Sequence, residues 1–180
     1  MRTILVALVV CCTSPALALA EYWTFRDWSV QVERVDTGED LRITCRASTG
    51  GDGDPVLEVY VSNGDAMPPG VFPWVSLRES APRGYATLMR DGDDAVFTFD
   101  TGARLPAIVR GGFDGDGIPF AHAEIDETDN QAALRAMRKA SNVRISRGSE
   151  SVYTASLSGF TAAYGKIAEQ CGFPTTGVFD

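Results

Sequence analysis

The sequence predicts a mainly β protein, a single antiparallel β-sandwich or barrel with two short α-helices. Three observations lead there. Short stretches in which apolar and polar residues alternate recur along the chain, parted by Gly, Asp and Pro. Two stretches, residues 132–140 and 160–171, change to helical spacing. Cys45 and Cys171 fall on the inward side of one such strand and of the second helix, where a disulfide would staple the fold.

Residues 1–20 read as a cleavable signal peptide. Arg2 gives a positive start, residues 4–10 are apolar, and Ala18-Leu19-Ala20 is a small-x-small cleavage site. The apolar run is too short to span a membrane. Val10 precedes Cys11 and Cys11 precedes Cys12, so neither cysteine has the small neighbour that a lipid anchor needs. Cleavage after Ala20 would leave residues 21–180 as a single β-rich domain, long enough for a real core. It would also leave two cysteines in an oxidising compartment, hence the expected Cys45–Cys171 disulfide. The expected location is the periplasm.

Trp28, Val30 and Val32 alternate with Ser29, Gln31 and Glu33 as a half-buried strand. Residues 36–39 turn the chain into a second strand, where Leu41, Ile43, Cys45 and Ala47 share one face. Residues 48–55 form a Gly/Asp loop, and Leu57, Val59 and Val61 mark a third strand. In residues 71–80, Val75 and Leu77 face one way and Phe72, Trp74 and Arg78 the other; Pro73 suggests a sheet edge. Residues 85–90 and 95–99 flank Asp91-Gly92, which predicts a hairpin. Pro106 suggests that residues 105–110 form another edge strand. Residues 111–117 are a second Gly/Asp loop, and residues 118–125 a further strand.

Thr128 and Gln131 have capping-box spacing before the first helix. Residues 143–145 and 151–157 are two more strands. Ser158 is placed to cap the last helix, with Phe160, Ala163, Tyr164, Ile167, Ala168 and Cys171 inward and Gly172 as its stop. The hairpin order suggests a meander.

Without Arg2 the remaining 15 basic side chains face 24 acidic ones, a net charge of −9. Such a surface repels phosphate backbones and anionic lipid, so nucleic acid is not an expected partner. No second membrane segment follows residue 20, and a monomer is expected. His122 is the only histidine and shares a strand face with Glu124. It could serve as a general base, though a half-buried strand histidine is the plainer reading. The Asp/Gly loops invite calcium, but their spacing fits no calcium loop and tight turns need the same residues. No phosphate-cradling or nucleophile-elbow motif occurs. No cofactor, metal or catalytic residues are assigned. Phe72, Trp74 and Arg78 form the candidate binding patch.

The leader, Asp27-Trp28-Ser-Val-Gln-Val32, the inward Cys45, Pro119-Phe120, Ala133-Leu134 and the closing run Ser156-Leu-Ser-Gly-Phe-Thr-Ala-Ala163 go together. This combination resembles the invasion-associated locus B family of small exported proteins of Gram-negative bacteria. The likeness covers both ends of the mature chain and is weak over residues 64–117. Val32 and residues 121–124 stand where many members carry further cysteines, so those extra disulfides are absent here. The resemblance implies a periplasmic or envelope β-rich domain and supplies no catalytic residues. The expected function is therefore a non-enzymatic envelope or periplasmic binding or accessory protein. Two alternatives are a small hydrolase using His122, and an inhibitor of a cell-wall enzyme wedged by residues 50–55 or 111–117.

Overall fold

In a computed structural model, residues 18–36, 38–53 and 55–180 are described. Most of the expected signal peptide, together with Thr37 and Asp54 of the predicted turns, lies outside them. Among the described residues ten strands form one antiparallel sheet. They are β1 (Ala18–Phe25), β2 (Trp28–Asp36), β3 (Leu41–Gly50), β4 (Val56–Ser62), β5 (Trp74–Ser80), β6 (Asp94–Phe99), β7 (Arg104–Phe113), β8 (Pro119–Ile125), β9 (Asn142–Arg147) and β10 (Glu150–Ser156). Their spatial order is β1-β2-β3-β4-β5-β8-β7-β6-β9-β10. The mainly β class, the single antiparallel architecture and the two helices α1 (Asn130–Lys139) and α2 (Phe160–Cys171) are as expected. The sheet is not closed by pairing of β1 with β10.

The two ends of the sheet nevertheless meet. The Trp28 indole N–H donates to the Ser156 carbonyl at 3.0 Å, and the Asp27 N–H to the Ser158 carbonyl at 3.2 Å. The Ser156 hydroxyl donates to Asp27 at 2.6 Å. One face of the rolled sheet is therefore inside. Val30, Val32, Cys45, Ala47, Leu57, Val59, Val75, Leu77, Phe97 and Val109 alternate into one core, as a period of two requires. α2 lies across β1 to β4 and buries the six residues expected of it. A chain of rings, Trp28, Phe160, Tyr164 and Phe173, runs through that end with centroids 5.1–5.8 Å apart. Cys45 and Cys171 are disulfide-bonded, with Cα atoms 6.2 Å apart.

The connections differ from a meander. β5 pairs with β8, not β6, and the block β6-β7-β8 runs back through the sheet. α1 then carries the chain from β8 to β9, so local turns alone could not order the strands. β5 and β7 are consequently interior strands, against the edge positions that Pro73 and Pro106 suggested. Pro73 precedes β5, and Pro106 lies beyond the last β7–β8 pair, Ala107 with Ile125. Proline is tolerated at both places because little or no ladder is interrupted.

Residues 85–90 are not a strand. The Glu79 carboxylate, buried on the inner face of β5, accepts the N–H groups of Leu88 (2.6 Å) and Met89 (3.1 Å). Their donors are satisfied by a side chain instead of a neighbouring strand. Met89 is thereby driven fully into the core. β1, with its aromatic residues Tyr22, Trp23 and Phe25, was not foreseen. It pairs with β2 from Ala18↔Val35 to Phe25↔Trp28, so cleavage after Ala20 would retain the pairs from Glu21 onward.

Both predicted N-terminal helix caps are displaced. Asp126, not Thr128, caps the 3-10 turn before α1, accepting the Thr128 N–H at 3.0 Å. α2 starts at Gly159 with φ +100° and no side-chain cap from Ser158. A Cβ at Gly159 would overlap the Phe25 carbonyl, so the close crossing of β1 dictates glycine there. Gly172 ends α2 in the left-handed conformation as expected.

Candidate functional site

The outer face of β3-β4-β5-β8-β7 gathers the residues that could recognise something. Strand register places them in three cross-strand rows. Arg46 lies opposite Tyr60, and Tyr60 opposite Trp74. Glu58 lies opposite Ser76, Ser76 opposite Glu124, and Glu124 opposite Ile108. Arg78 lies opposite His122, and His122 opposite Arg110. A basic row thus runs beside an acidic one.

Trp74 is 42% exposed and stands between two depressions. One, of about 460 Å³, is bordered by Glu58, Tyr60, Arg78 and His122. The other, of about 390 Å³, is bordered by Pro106, Ala107, Ile108 and Ile125 and by the charged Arg110, Asp126 and Glu127. Trp74 and Glu124 belong to both. The expected exposure of Trp74 and the outward direction of Arg78 hold. Phe72 does not join them. It precedes β5, is 6% exposed, and faces the C-terminal tail so closely that a Cβ at Gly177 would lie 3.0 Å from its ring. Pro73 between Phe72 and Trp74 breaks the alternation on which the shared face was predicted.

The charges are partly matched. The Arg46 Nε lies 3.0 Å from the buried Glu58 carboxylate, and its guanidinium sits over the Tyr60 ring at 5.7 Å. Arg110 and Glu124 are 3.3 Å apart. Among the described residues Arg78 has no ion pair. His122 is half-buried against Phe120, ring centroids 5.3 Å apart. Its burial, and then the Arg78 guanidinium, push the imidazole below its ordinary pKa; Glu58 and Glu124 oppose this.

The Ser76 hydroxyl donates to Glu58 at 3.4 Å, not to His122. The imidazole therefore does not activate Ser76, and both described cysteines are in the disulfide. Among the described residues no three His, Cys, Asp or Glu side chains cluster as metal ligands would. The loop aspartates accept backbone N–H groups, within a turn at Asp114 and between distant segments at Asp91 and Asp100. Asp91 accepts the Gly111 N–H at 3.0 Å, Asp114 the Ile118 N–H at 2.8 Å, and Asp100 the Asn142 N–H at 3.0 Å.

Sequence reasoning missed Arg46, Glu58, Tyr60, Ile108 and Arg110. Each sits on the polar side of an alternating strand, and that alternation was the available signal. Only the register brings them to Trp74. Asn130 was missed too. It is fully buried at the start of α1, and its Oδ1 accepts the Val75 N–H at 3.2 Å, fixing the strand that carries Trp74. No protein-family model, curated protein or solved structure matches this chain. Among the described residues no helix is long and apolar enough to cross a membrane.

Proposed function

We propose that this is an exported, non-enzymatic binding or accessory protein of the periplasm or envelope, which engages its partner through the outer sheet face around Trp74. The observation that carries the reading is the large exposed indole between two depressions of mixed apolar and charged lining, on strands held rigid by pairing on both sides. Aromatic anchors beside arginine are the commonest carriers of binding energy. The resemblance to the invasion-associated locus B family and the signal-peptide pattern support export.

Envelope extract passed over immobilised protein and over its Trp74→Ala variant tests this. A component retained by the first and lost from the second is expected, with the mature chain beginning at Glu21. Equal retention by both would overturn the Trp74 face.

The inhibitor alternative keeps one observation. Phe113, 74% exposed, begins the turn of residues 113–118, which is braced by the Asp114 side chain and by Arg83 donating to the Asp116 carbonyl. A rigid turn carrying an exposed ring has the shape of a wedge.

A further inference from the structure

We propose that the depression beside Trp74 binds a small organic carboxylate, its charged end between Arg78 and His122 and its apolar body on Trp74 toward Ile108. The proposal rests on the binding reading above and names the class of ligand.

The charge pattern comes first. Across the two depressions three arginines and one histidine face four carboxylates, but Asp126 and Glu127 border only the depression that Arg78 and His122 do not. Glu58 is matched to Arg46 and Glu124 to Arg110. What is left is Arg78, half-buried and opposite His122, with no ion pair among the described residues. A guanidinium beside an imidazole, partly out of water, keeps the ring neutral until a further anion joins them. A guanidinium fork offers paired N–H donors to a carboxylate, and an imidazole N–H adds another.

The same surroundings select the anion. Glu58 and Glu124 border the position and would repel a second negative charge, so a monoanion fits where a phosphate dianion does not. The shape selects the rest of the ligand. A space of about 460 Å³ suits a small molecule, and across Trp74 it adjoins the second depression, where Pro106, Ala107 and Ile108 supply apolar surface. A flat apolar body would lie on the indole face.

Binding should also depend on pH. Arg78 from β5, Arg110 from β7, Glu58 from β4 and Glu124 on β8 itself all face the imidazole. An added carboxylate favours the protonated ring, so complex formation takes up a proton and affinity rises as pH falls below neutral.

His122 is the sole histidine, so its ring signals in an NMR spectrum need no assignment. The disulfide-intact protein is titrated with hydrocinnamate, its uncharged amide, and inorganic phosphate. Hydrocinnamate is expected to shift the His122 and Trp74 ring signals and to raise the His122 titration midpoint. The amide and phosphate should bind at least about tenfold more weakly, as should hydrocinnamate to Arg78→Gln. Equal binding of acid and amide would overturn the proposal. So would ring signals unmoved at about 10 mM acid, a concentration that reveals even weak complexes. Should hydrocinnamate fail while Trp74→Ala still loses the captured envelope component, the carboxylate falls and the binding face stands. The amide comparison needs no variant, so misfolding of Arg78→Gln cannot obscure the result.

Discussion

His122 carries a consequence that is independent of any ligand. Its imidazole titrates below the ordinary value of 6.5 because burial, and then the Arg78 charge, disfavour the protonated ring. The unfolded chain therefore binds a proton at a higher pH than the folded one. Between those two values the unfolded state holds more protons, and stability falls as pH falls through that window. Above 6.5 both states are neutral at this position and the effect vanishes. Urea midpoints measured from pH 7.5 downward, roughly a unit above and below the ordinary histidine value, should decline in the wild type. The decline should be shallower in His122→Gln, with the two curves running parallel above neutrality. Identical slopes would show that the imidazole is no less basic in the fold than in the unfolded chain. Tyr164 is a second buried polar group: burial pushes its phenol above the ordinary value, and its hydroxyl has no hydrogen-bond partner among the described residues. It stays neutral throughout and adds nothing to this window.

The segment between β5 and β6 is organised by one carboxylate. Glu79 faces the core at 8% exposure and takes two backbone N–H groups, while Arg147 donates to the Leu88 carbonyl at 2.7 Å. Those bonds fix Met89 as a plug in the core. Glu79→Ala strands both donors, at a cost of about 2–4 kcal/mol for two charge-assisted bonds. The expected result is a lowered urea midpoint with faster proteolysis between Pro82 and Arg90. Lowered stability without new cleavage in that segment would mean that the carboxylate does not hold it. The segment also marks the limit of local reading. Tyr85 to Arg90 looks like half of a hairpin because Asp91-Gly92 follows, yet the Leu88 and Met89 donors go to the side chain of Glu79 on the preceding strand. Proline placed β5 and β7 at edges, whereas pairing simply begins after Pro73 and stops short of Pro106 on one side. Where one periodicity ran unbroken, as in α2 and in β2 to β4, faces and partners were legible. The site was legible in halves: Trp74 and Arg78 from alternation within β5, but not Arg46, Glu58 or Arg110. Those need the register of four further strands, which no single strand encodes.

Rolling ten strands around one core brings together segments from opposite ends of the chain. Trp28 and Ser156 touch across a sequence separation of 128, but the meeting rests on a handful of hydrogen bonds rather than a ladder. The covalent tie is the disulfide. It joins β3, near one edge of the sheet, to the helix that follows β10 at the other edge, across a separation of 126. Constraining so long a loop in the unfolded chain contributes about 4–5 kcal/mol on the chain-entropy account. Reduction, or a Cys45→Ala and Cys171→Ala double variant, should therefore lower the unfolding free energy by up to roughly that amount. α2 should be the element that loosens. Its buried stripe covers β1 to β4, and with the tie cut it is held there by apolar contact, the C-terminal tail, Arg34 donating to Gln170 at 2.6 Å and Lys166 over the Trp23 ring at 4.8 Å. The tail is itself fixed to α1, through Arg138 donating to the Val178 carbonyl at 2.8 Å. Amide exchange should accordingly rise in α2 and along β2 and β3, while β5, β8 and β7, paired on both sides, keep their protection and the His122 signals keep their positions. Exchange that rises evenly over all ten strands would mean that the sheet opens as one unit. The outer face around Trp74 would then depend on the disulfide too, and reduction would abolish binding together with the fold.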